Sequence, residues 1–217
     1  MKFKKAQTIV AEAAPHDYYQ SVYRAMEKMY LPAVFKRLAK LPPGRVLEIG
    51  PGWGTTAIWL SERGHEVTVM DLMPIGSFLT RELCDRYGLT YIQHDIEDAP
   101  EPEGLRLDPF DVVVMTQVIH HLSWRPDRAM EHVHRLLSSS GILLASVLDR
   151  DHYPTLDSAY GHDWKNVPEW RQAPRSDDVI KCMYDAPMFT SLLKEHFNEV
   201  TIRRPRRSTV LFARAKI

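Results

Sequence analysis

Short apolar runs alternate with amphipathic stretches along the middle of the chain. The runs RVLEIG, HEVTVMD, LTYIQHD, FDVVVMT and GILLASVL are rich in Val, Ile and Leu, which is typical of strands buried on both faces of a sheet. Helical spacing separates them, as over residues 55–63, where Gly64 follows as a helix-terminating residue. This alternation predicts an α/β fold with a parallel sheet and helices on both faces.

The two ends of the chain follow other patterns. Residues 16–41 carry a helical stripe of aromatic and aliphatic side chains, in which Pro32 is expected to open a second short helix. Near the carboxyl end we expect a helix over residues 188–197, followed by the runs EVTIRRP and STVLFARA. Only a few residues separate these two runs, so they can pair only as antiparallel strands. The pattern therefore predicts seven strands, mainly parallel, of which the last is antiparallel.

Length and composition favour one domain. With 217 residues and 44% apolar content, the chain can fill one sizeable core. We expect a single domain over residues 1–217, with a helical cap at 1–43, a sheet-forming core at 44–148, an insertion at 149–186, and a helix and hairpin at 187–217. The insertion loses the periodicity but is rich in aromatic residues, so we expect an ordered segment that acts as a lid or as structural packing.

Charge and cysteine content indicate which classes of partner are not expected and which cellular compartment is favoured. Twenty-eight basic and 28 acidic residues cancel, so no nucleic acid and no anionic membrane is expected as a partner. No apolar run approaches the roughly eighteen residues of a membrane span, and the amino-terminal apolar stretch is too interrupted for a signal peptide. Cys84 and Cys182 form no CxxC motif, which favours a reducing, cytoplasmic location. The oligomeric state stays open.

The stretch VLEIGPGWG combines a predicted strand with three glycines at alternate positions, Gly50, Gly52 and Gly54. A strand, a glycine-rich turn and a helix place bare backbone at the carboxyl edge of the sheet, where nucleotide-like ligands bind in doubly wound folds. Asp71 ends the second predicted strand, twenty-one residues after Gly50. Its carboxylate is positioned to accept hydrogen bonds from a ribose diol, and such charge-assisted bonds contribute about 1.5–3 kcal/mol each.

Two classes of ligand fit an acid at that place. A dinucleotide requires the spacing GxGxxG, but here the last glycine comes one residue early and Thr55 stands in its place. Glu48, just before the turn, would also repel a pyrophosphate, whereas it suits a cationic ligand. These two observations make an NAD-dependent oxidoreductase the weaker hypothesis.

Residues 44–148 resemble the class I S-adenosylmethionine-dependent methyltransferases, in particular the small-molecule branch similar to the quinone-biosynthesis and type 11 enzymes. The resemblance rests on four motifs in register: VLEIGPGWG, VTVMDLMP, IQHDIED and FDVVVMTQVIHHL. It implies a Rossmann-like seven-stranded sheet, S-adenosylmethionine as cofactor and S-adenosylhomocysteine as product. It also implies transfer of a methyl group to a small-molecule acceptor, with O- or N-methylation favoured.

The resemblance further implies which residues bind the cofactor. The glycine turn would pass under its methionine part with Glu48 near the amino group, and Asp71 would hold the ribose. Leu72, Asp95 and Ile96 would contact the adenine. Further contacts would come from the end of the fourth strand and from the helix before the first strand. The complete expected set is Tyr19, Glu48, Gly50, Pro51, Gly52, Gly54, Asp71, Leu72, Asp95, Ile96 and Gln117.

Histidines follow the fourth predicted strand, at the edge where an acceptor would lie. If the nucleophile is a hydroxyl or an ammonium, a base must remove a proton, and His121 or His120 could serve, unless they only pack under the next helix. A metal site is not expected. Asp149 and Asp151 follow the fifth strand, but a magnesium site would need a third acid or amide, and the loop after the fourth strand offers Gln117 and histidines instead.

The acceptor itself is not specified by these patterns. Trp164, Trp170 and Tyr153 in the insertion would wall an acceptor pocket or serve as packing. His132 and His134, two apart on a predicted helix, do not face each other and are expected on the surface. Two further hypotheses remain open: a non-catalytic or regulatory protein that binds the cofactor, and a methyltransferase that acts on proteins.

Overall fold

A computed structural model describes residues 2–13, 19–122, 125–152, 182–205 and 210–217 of the chain. Within these residues, seven strands form one sheet. They are β1 (Arg45–Ile49), β2 (Glu66–Asp71), β3 (Thr90–Gln93), β4 (Phe110–Thr116), β5 (Leu137–Leu148), β6 (Glu199–Arg203) and β7 (Val210–Lys216). Most of the insertion, including Tyr153, Trp164 and Trp170, lies outside the described residues.

The strand order across the sheet is β3-β2-β1-β4-β5-β7-β6. The pairs β1–β2, β1–β4, β2–β3 and β4–β5 are parallel, whereas β7 runs antiparallel to both β5 and β6. This topology confirms the predicted Rossmann-like, mainly parallel sheet with its antiparallel last strand. The strand order reverses between β1 and β4, and ligands of open α/β sheets bind in the crevice that such a reversal creates at the carboxyl ends.

Two helices precede the first strand, four connect later strands, and together they cover both faces of the sheet. They are α1 (Phe3–Ala13), α2 (Arg24–Leu38), α3 (Thr55–Ser61), α4 (Arg81–Tyr87), α5 (Pro126–Leu136) and α6 (Ala186–Lys194). A π-helical turn, Tyr19–Tyr23, leads directly into α2. None of the described helices is long and apolar enough to cross a membrane.

Pro32 does not open a second helix, so that prediction was wrong. It lies inside α2, which continues through it to Leu38. An interior proline removes one helical hydrogen bond, but the flanking residues Tyr30, Leu31 and Val34 are all buried. Packing of α2 on the rest of the protein offsets the local cost of the proline.

Two apolar clusters fill the space on the two faces of the sheet. In β1, Val46 belongs to one cluster and Leu47 to the other. The same alternation occurs in β4, where Val112 and Val113 face opposite clusters. Successive side chains of a strand point to opposite faces, so a strand buried on both sides has the continuous apolar sequence from which these strands were predicted.

Candidate functional site

The turn after β1 has a backbone that only glycines adopt readily. Gly50, Gly52 and Gly54 have φ angles of +65°, +52° and +84°, in the left-handed region that is costly for other residues. Space is also restricted, since a Cβ at Gly50 would come within 2.5 Å of Val118. A Cβ at Gly52 would overlap the hydroxyl of Tyr23. The glycines are therefore needed both for conformation and for close approach.

Glu48 lies in β1 just before this turn and is fully buried. The Thr56 hydroxyl and the Ala57 N–H, both in the first turn of α3, donate hydrogen bonds to its carboxyl. Its Oε2 atom is buried and has no hydrogen-bond partner among the described residues. Burial, together with the negative charges of Glu27 and Asp71, raises the pKa of Glu48 to about 8. Glu48 is thus a carboxyl that a bound cation would help to ionise.

The amino-terminal cap is attached to the glycine turn through the buried carboxyl of Glu27 in α2. This carboxyl accepts hydrogen bonds from Gln7 Nε2 at 2.8 Å and from the Tyr19 hydroxyl at 3.3 Å. The Tyr19 hydroxyl also lies 3.5 Å from Thr55 Oγ1, at the start of α3. Tyr19 is completely buried, so this hydroxyl connects the cap with α3.

An aromatic cluster covers the turn from the cap side. The Trp53 ring, inside the turn, has its centroid 5.2 Å from that of Tyr19 and 6.5 Å from that of Tyr23. The Tyr23 hydroxyl is hydrogen-bonded with Tyr30 and faces Gly52. Tyr23 is therefore the cap residue that stands directly over the turn, a position that its place in a helical stripe did not reveal.

Asp71 ends β2 and Asp95 follows β3 by two residues, at the same edge of the sheet. Asp71 accepts a hydrogen bond from the backbone N–H of Met73 at 2.9 Å, and Asp95 accepts one from that of Glu97, also at 2.9 Å. Such side chain to backbone bonds fix the direction in which the chain leaves each strand. Leu72, directly after Asp71, keeps 42% of its surface exposed, so its side chain is accessible at this edge of the sheet.

His132 is not on the surface, as the sequence had suggested, but is only 3% exposed. Its Nδ1 atom lies 2.7 Å from the carbonyl oxygen of Ile96. Ile96 is buried as well, so its side chain belongs to the core and its carbonyl is occupied by the histidine. His134 is half-buried and packs against Phe197, with ring centroids 5.8 Å apart.

Gln117 follows β4 with a φ angle of +60°, the only positive value for a residue other than glycine in the described chain. Its backbone N–H donates to the carbonyl of Ser146 at 3.0 Å, and its Nε2 donates to the Ser146 hydroxyl at 2.9 Å. These bonds hold the carboxyl ends of β4 and β5 together. They also stabilise a backbone conformation that is otherwise unfavourable for glutamine.

The two predicted histidines lie in a 3-10 turn, Ile119–His121, after β4. His120 is 2% exposed, and burial lowers its pKa well below the usual value. Its carbonyl accepts a hydrogen bond from the N–H of Cys182 at 3.2 Å. His121 is exposed, and its ring centroid is 4.3 Å from that of His120. Of the two rings, only that of His121 is open to solvent and to an incoming ligand.

Asp149, at the end of β5, is completely buried and forms an ion pair with Arg204. It also accepts a hydrogen bond from the N–H of Asp151 at 3.1 Å. Among the described residues, no three His, Cys, Asp or Glu side chains are grouped so that they could hold a metal ion. The absence of a metal stays a prediction.

Comparison with known proteins identifies the class to which this fold belongs. The chain is a member of the family of methyltransferase domains, whose model matches residues 23–197. This confirms the predicted class I S-adenosylmethionine-dependent methyltransferase family, and with it S-adenosylmethionine as the cofactor.

Similar proteins were found among curated sequences and among solved structures. The malonyl-acyl-carrier-protein O-methyltransferase of Geobacter sulfurreducens is 26% identical over 162 residues, which cover 72% of this chain and 57% of that protein. The protein of the same name from Enterobacter lignolyticus is 29% identical over 163 residues, covering 75% and 59% respectively. The chain thus spans somewhat over half the length of these curated relatives.

A solved structure supports the fold independently. The 1,6-didemethyltoxoflavin-N1-methyltransferase of Burkholderia thailandensis, with bound 1,6-didemethyltoxoflavin and S-adenosylhomocysteine, matches with a TM-score of 0.63 at 19% identity. The match covers 98% of this chain and 88% of that one. At this level of identity, the likeness concerns the fold.

Proposed function

We propose that this protein transfers the methyl group of S-adenosylmethionine to an oxygen or nitrogen atom of a small-molecule acceptor. The observation that carries the proposal is the carboxyl of Glu48, buried beside the glycine turn with one oxygen lacking a hydrogen-bond partner among the described residues. Such an arrangement is costly in the empty protein. It becomes favourable when a ligand supplies positive charge, as the sulfonium and ammonium groups of this cofactor do.

The cofactor would extend along the carboxyl edge of β1, β2 and β3. In this arrangement its methionine part crosses the glycine turn, with Pro51 as part of the turn, and its ribose reaches Asp71. The adenine packs against exposed Leu72 and the segment that begins with Asp95 and Ile96. From the cap, Tyr23 is better situated than Tyr19 to contact the ligand, because it is the Tyr23 hydroxyl that faces Gly52. Gln117 borders the methionine end.

Methyl transfer from a sulfonium is an in-line displacement, in which the acceptor's lone pair forms the new bond as the carbon–sulfur bond breaks. The protein mainly has to hold the two reactants close and aligned, which can lower the barrier by about 7–11 kcal/mol. A hydroxyl or ammonium acceptor must also lose a proton. We assign this role to His121, since its ring is exposed, whereas buried His120 carries a lowered pKa and is a poorer base.

Calorimetric titration with S-adenosylhomocysteine tests the proposal. We expect micromolar binding, which Asp71→Ala weakens about ten- to hundredfold, because a ribose hydroxyl bonded to a carboxylate is worth about 1.5–3 kcal/mol. Asp85→Ala, a change of the same type at an exposed site on α4, is the matched control and should bind like the unchanged protein. Equal affinity of the two variants would refute the ribose assignment. Binding without turnover on any acceptor would favour the non-catalytic alternative.

A second candidate is that the acceptor is an acyl group on a carrier protein. Its support is the match to two malonyl-acyl-carrier-protein O-methyltransferases. In that reaction the nucleophile is a carboxylate, which has no proton to lose, so loss of His121 would leave the rate unchanged. An assay of methyl ester formation compares two acceptors, malonyl-loaded carrier protein and a free malonyl thioester. It distinguishes a carrier-bound acceptor from a small-molecule acceptor.

A cytoplasmic location agrees with the state of the cysteines. Cys84 and Cys182 are both buried thiols, and thiols are typical of a reducing compartment.

A further inference from the structure

We propose that His132 and Glu97 are positioning residues for the adenine side of the cofactor pocket. The proposal rests on the proposed function, since it concerns the same site. Both residues attach the segment after β3, residues 95–98, to helix α5. Neither was singled out from the sequence as part of the site.

The first attachment is made by His132. Its Nδ1 lies 2.7 Å from the Ile96 carbonyl oxygen, and since a carbonyl can only accept, Nδ1 carries the hydrogen. Burial lowers the pKa of His132 below its usual value, in keeping with a neutral ring that donates from this nitrogen. A buried polar pair of this kind is costly to break, because the carbonyl would remain without a partner.

The second attachment is made by Glu97, which is only 5% exposed. Its Oε1 accepts a hydrogen bond of 2.6 Å from the backbone N–H of Arg125, the residue that precedes α5. An acid at the beginning of a helix also interacts favourably with the helix dipole. Glu97 thereby joins the segment after β3 to the segment that follows the histidine pair.

These contacts hold the backbone at Ile96 and the side chain of Glu97 against α5. Asp95 accepts a hydrogen bond from the N–H of Glu97, so the direction of the Asp95 carboxylate depends on where residues 96 and 97 are held. An exocyclic amine of adenine is the group that this carboxylate would recognise. His132 and Glu97 would therefore act on cofactor selectivity without touching the cofactor.

The test compares the affinity for S-adenosylhomocysteine with that for S-inosylhomocysteine, which has an oxygen in place of the amine. His132→Leu removes the donor at nearly constant size, and His132→Asn retains an N–H at a position similar to Nδ1. We expect His132→Leu to weaken binding of the adenine compound about three- to tenfold, the value of one hydrogen bond, while the inosine compound changes little. His132→Asn should largely restore the preference. In turnover, KM for the cofactor should rise while kcat is kept.

His134→Leu, on the same helix and half-buried, is the matched control and should leave both affinities unchanged. Glu97→Gln keeps an acceptor for the Arg125 N–H, whereas Glu97→Leu removes it. If His132→Leu does not fold, these two variants are compared instead. An unchanged preference in folded His132→Leu and Glu97→Leu, or equal loss of both ligands, would overturn the positioning role. If the unchanged protein binds neither compound, the proposed function itself fails.

Discussion

The pKa of Glu48 couples this site to the stability of the protein. Burial raises that pKa from its ordinary 4.5 to about 8, with Glu27 and Asp71 adding repulsion. Between these two pH values the folded protein keeps a proton that the unfolded chain has released, so the free energy of unfolding falls as pH rises. Each pKa unit corresponds to about 1.4 kcal/mol. The contribution of Glu48 is complete below the lower value and is lost above the upper one.

Glu48→Gln is therefore expected to remove a pH dependence. Without cofactor, the Tm of the unchanged protein should fall more between pH 5 and pH 8, roughly the window of the shift, than the Tm of Glu48→Gln. Differential scanning calorimetry across this range measures the difference, and other titrating groups cancel in the comparison. Parallel curves for the two proteins would mean that Glu48 is ionised in the empty site.

Alanine substitutions at Gly52 and Gly88 distinguish the cost of backbone strain from the cost of a steric clash. Both have a positive φ, but a Cβ at Gly88 meets nothing within 4 Å, whereas one at Gly52 overlaps the Tyr23 hydroxyl. We expect Gly88→Ala to cost about 1–2 kcal/mol from strain alone, and Gly52→Ala to cost more. Only Gly52→Ala should weaken S-adenosylhomocysteine binding. Chemical denaturation and calorimetric titration provide the two readouts, and equal behaviour of the two variants would contradict the close approach at Gly52.

Among the helices, α2 is hydrogen-bonded to the start of α3 through the buried acid Glu27, beside the stacked rings of Phe35 and Trp59. Glu27→Leu would remove the hydrogen bonds from Gln7 and Tyr19, whose donors keep the carbonyls of Arg24 and Gln7 as acceptors, and each lost bond costs about 0.5–1.5 kcal/mol. Glu27→Gln retains an acceptor oxygen and should cost less. Limited proteolysis tests this, because a loosened cap is cut earlier within its first forty or so residues, a span that includes α1 and α2. Identical cleavage of both variants and the unchanged protein would show that Glu27 does not hold the cap.

The elements differ in how far the sequence predicts them. Strands β1 and β4 were predictable because burial on both faces leaves a continuous apolar run, as in residues 112–115. The position of the cap could not be predicted from the sequence, since the helical stripe around Tyr23 does not indicate which element the cap will contact. The burial of His132, in contrast, could have been predicted. It stands three residues after Ala129 and four before Leu136, both buried, on the apolar face of α5.

The candidate site likewise contains residues that the sequence predicts and residues that it does not. Motif spacing predicted Glu48 and the glycines, because a strand–turn–helix unit is local and its geometry follows from the chain itself. Glu27 and Glu97 were not predicted, since each acts through a partner that is distant in sequence, Gln7 or Arg125. Contacts between elements depend on how whole helices pack, and periodicity alone does not determine this.

For the whole molecule, the ion pair between Asp149 and Arg204 joins the end of β5 to the segment after β6. Arg204→Ala would remove the cation beside a completely buried carboxylate, and because the arginine side chain is itself partly exposed, the expected cost is about 1–3 kcal/mol. Lys216→Ala breaks the exposed pair with Glu199 in the same sheet and should cost about 0–1 kcal/mol. Denaturation in urea measures both. Similar losses would indicate that Asp149 is stabilised by other groups.

Trp53 gives the glycine turn an optical signal of its own. Its indole is nearly buried, between the ring of Tyr19 and that of Phe78, whose centroids are 5.2 and 5.5 Å away. Indole emission depends on the polarity and charge of its surroundings, so a ligand arriving on this turn would shift the emission of the empty protein. Ligand binding at the glycine turn can then be followed in real time by intrinsic fluorescence, and Trp53→Phe serves as the control without this signal.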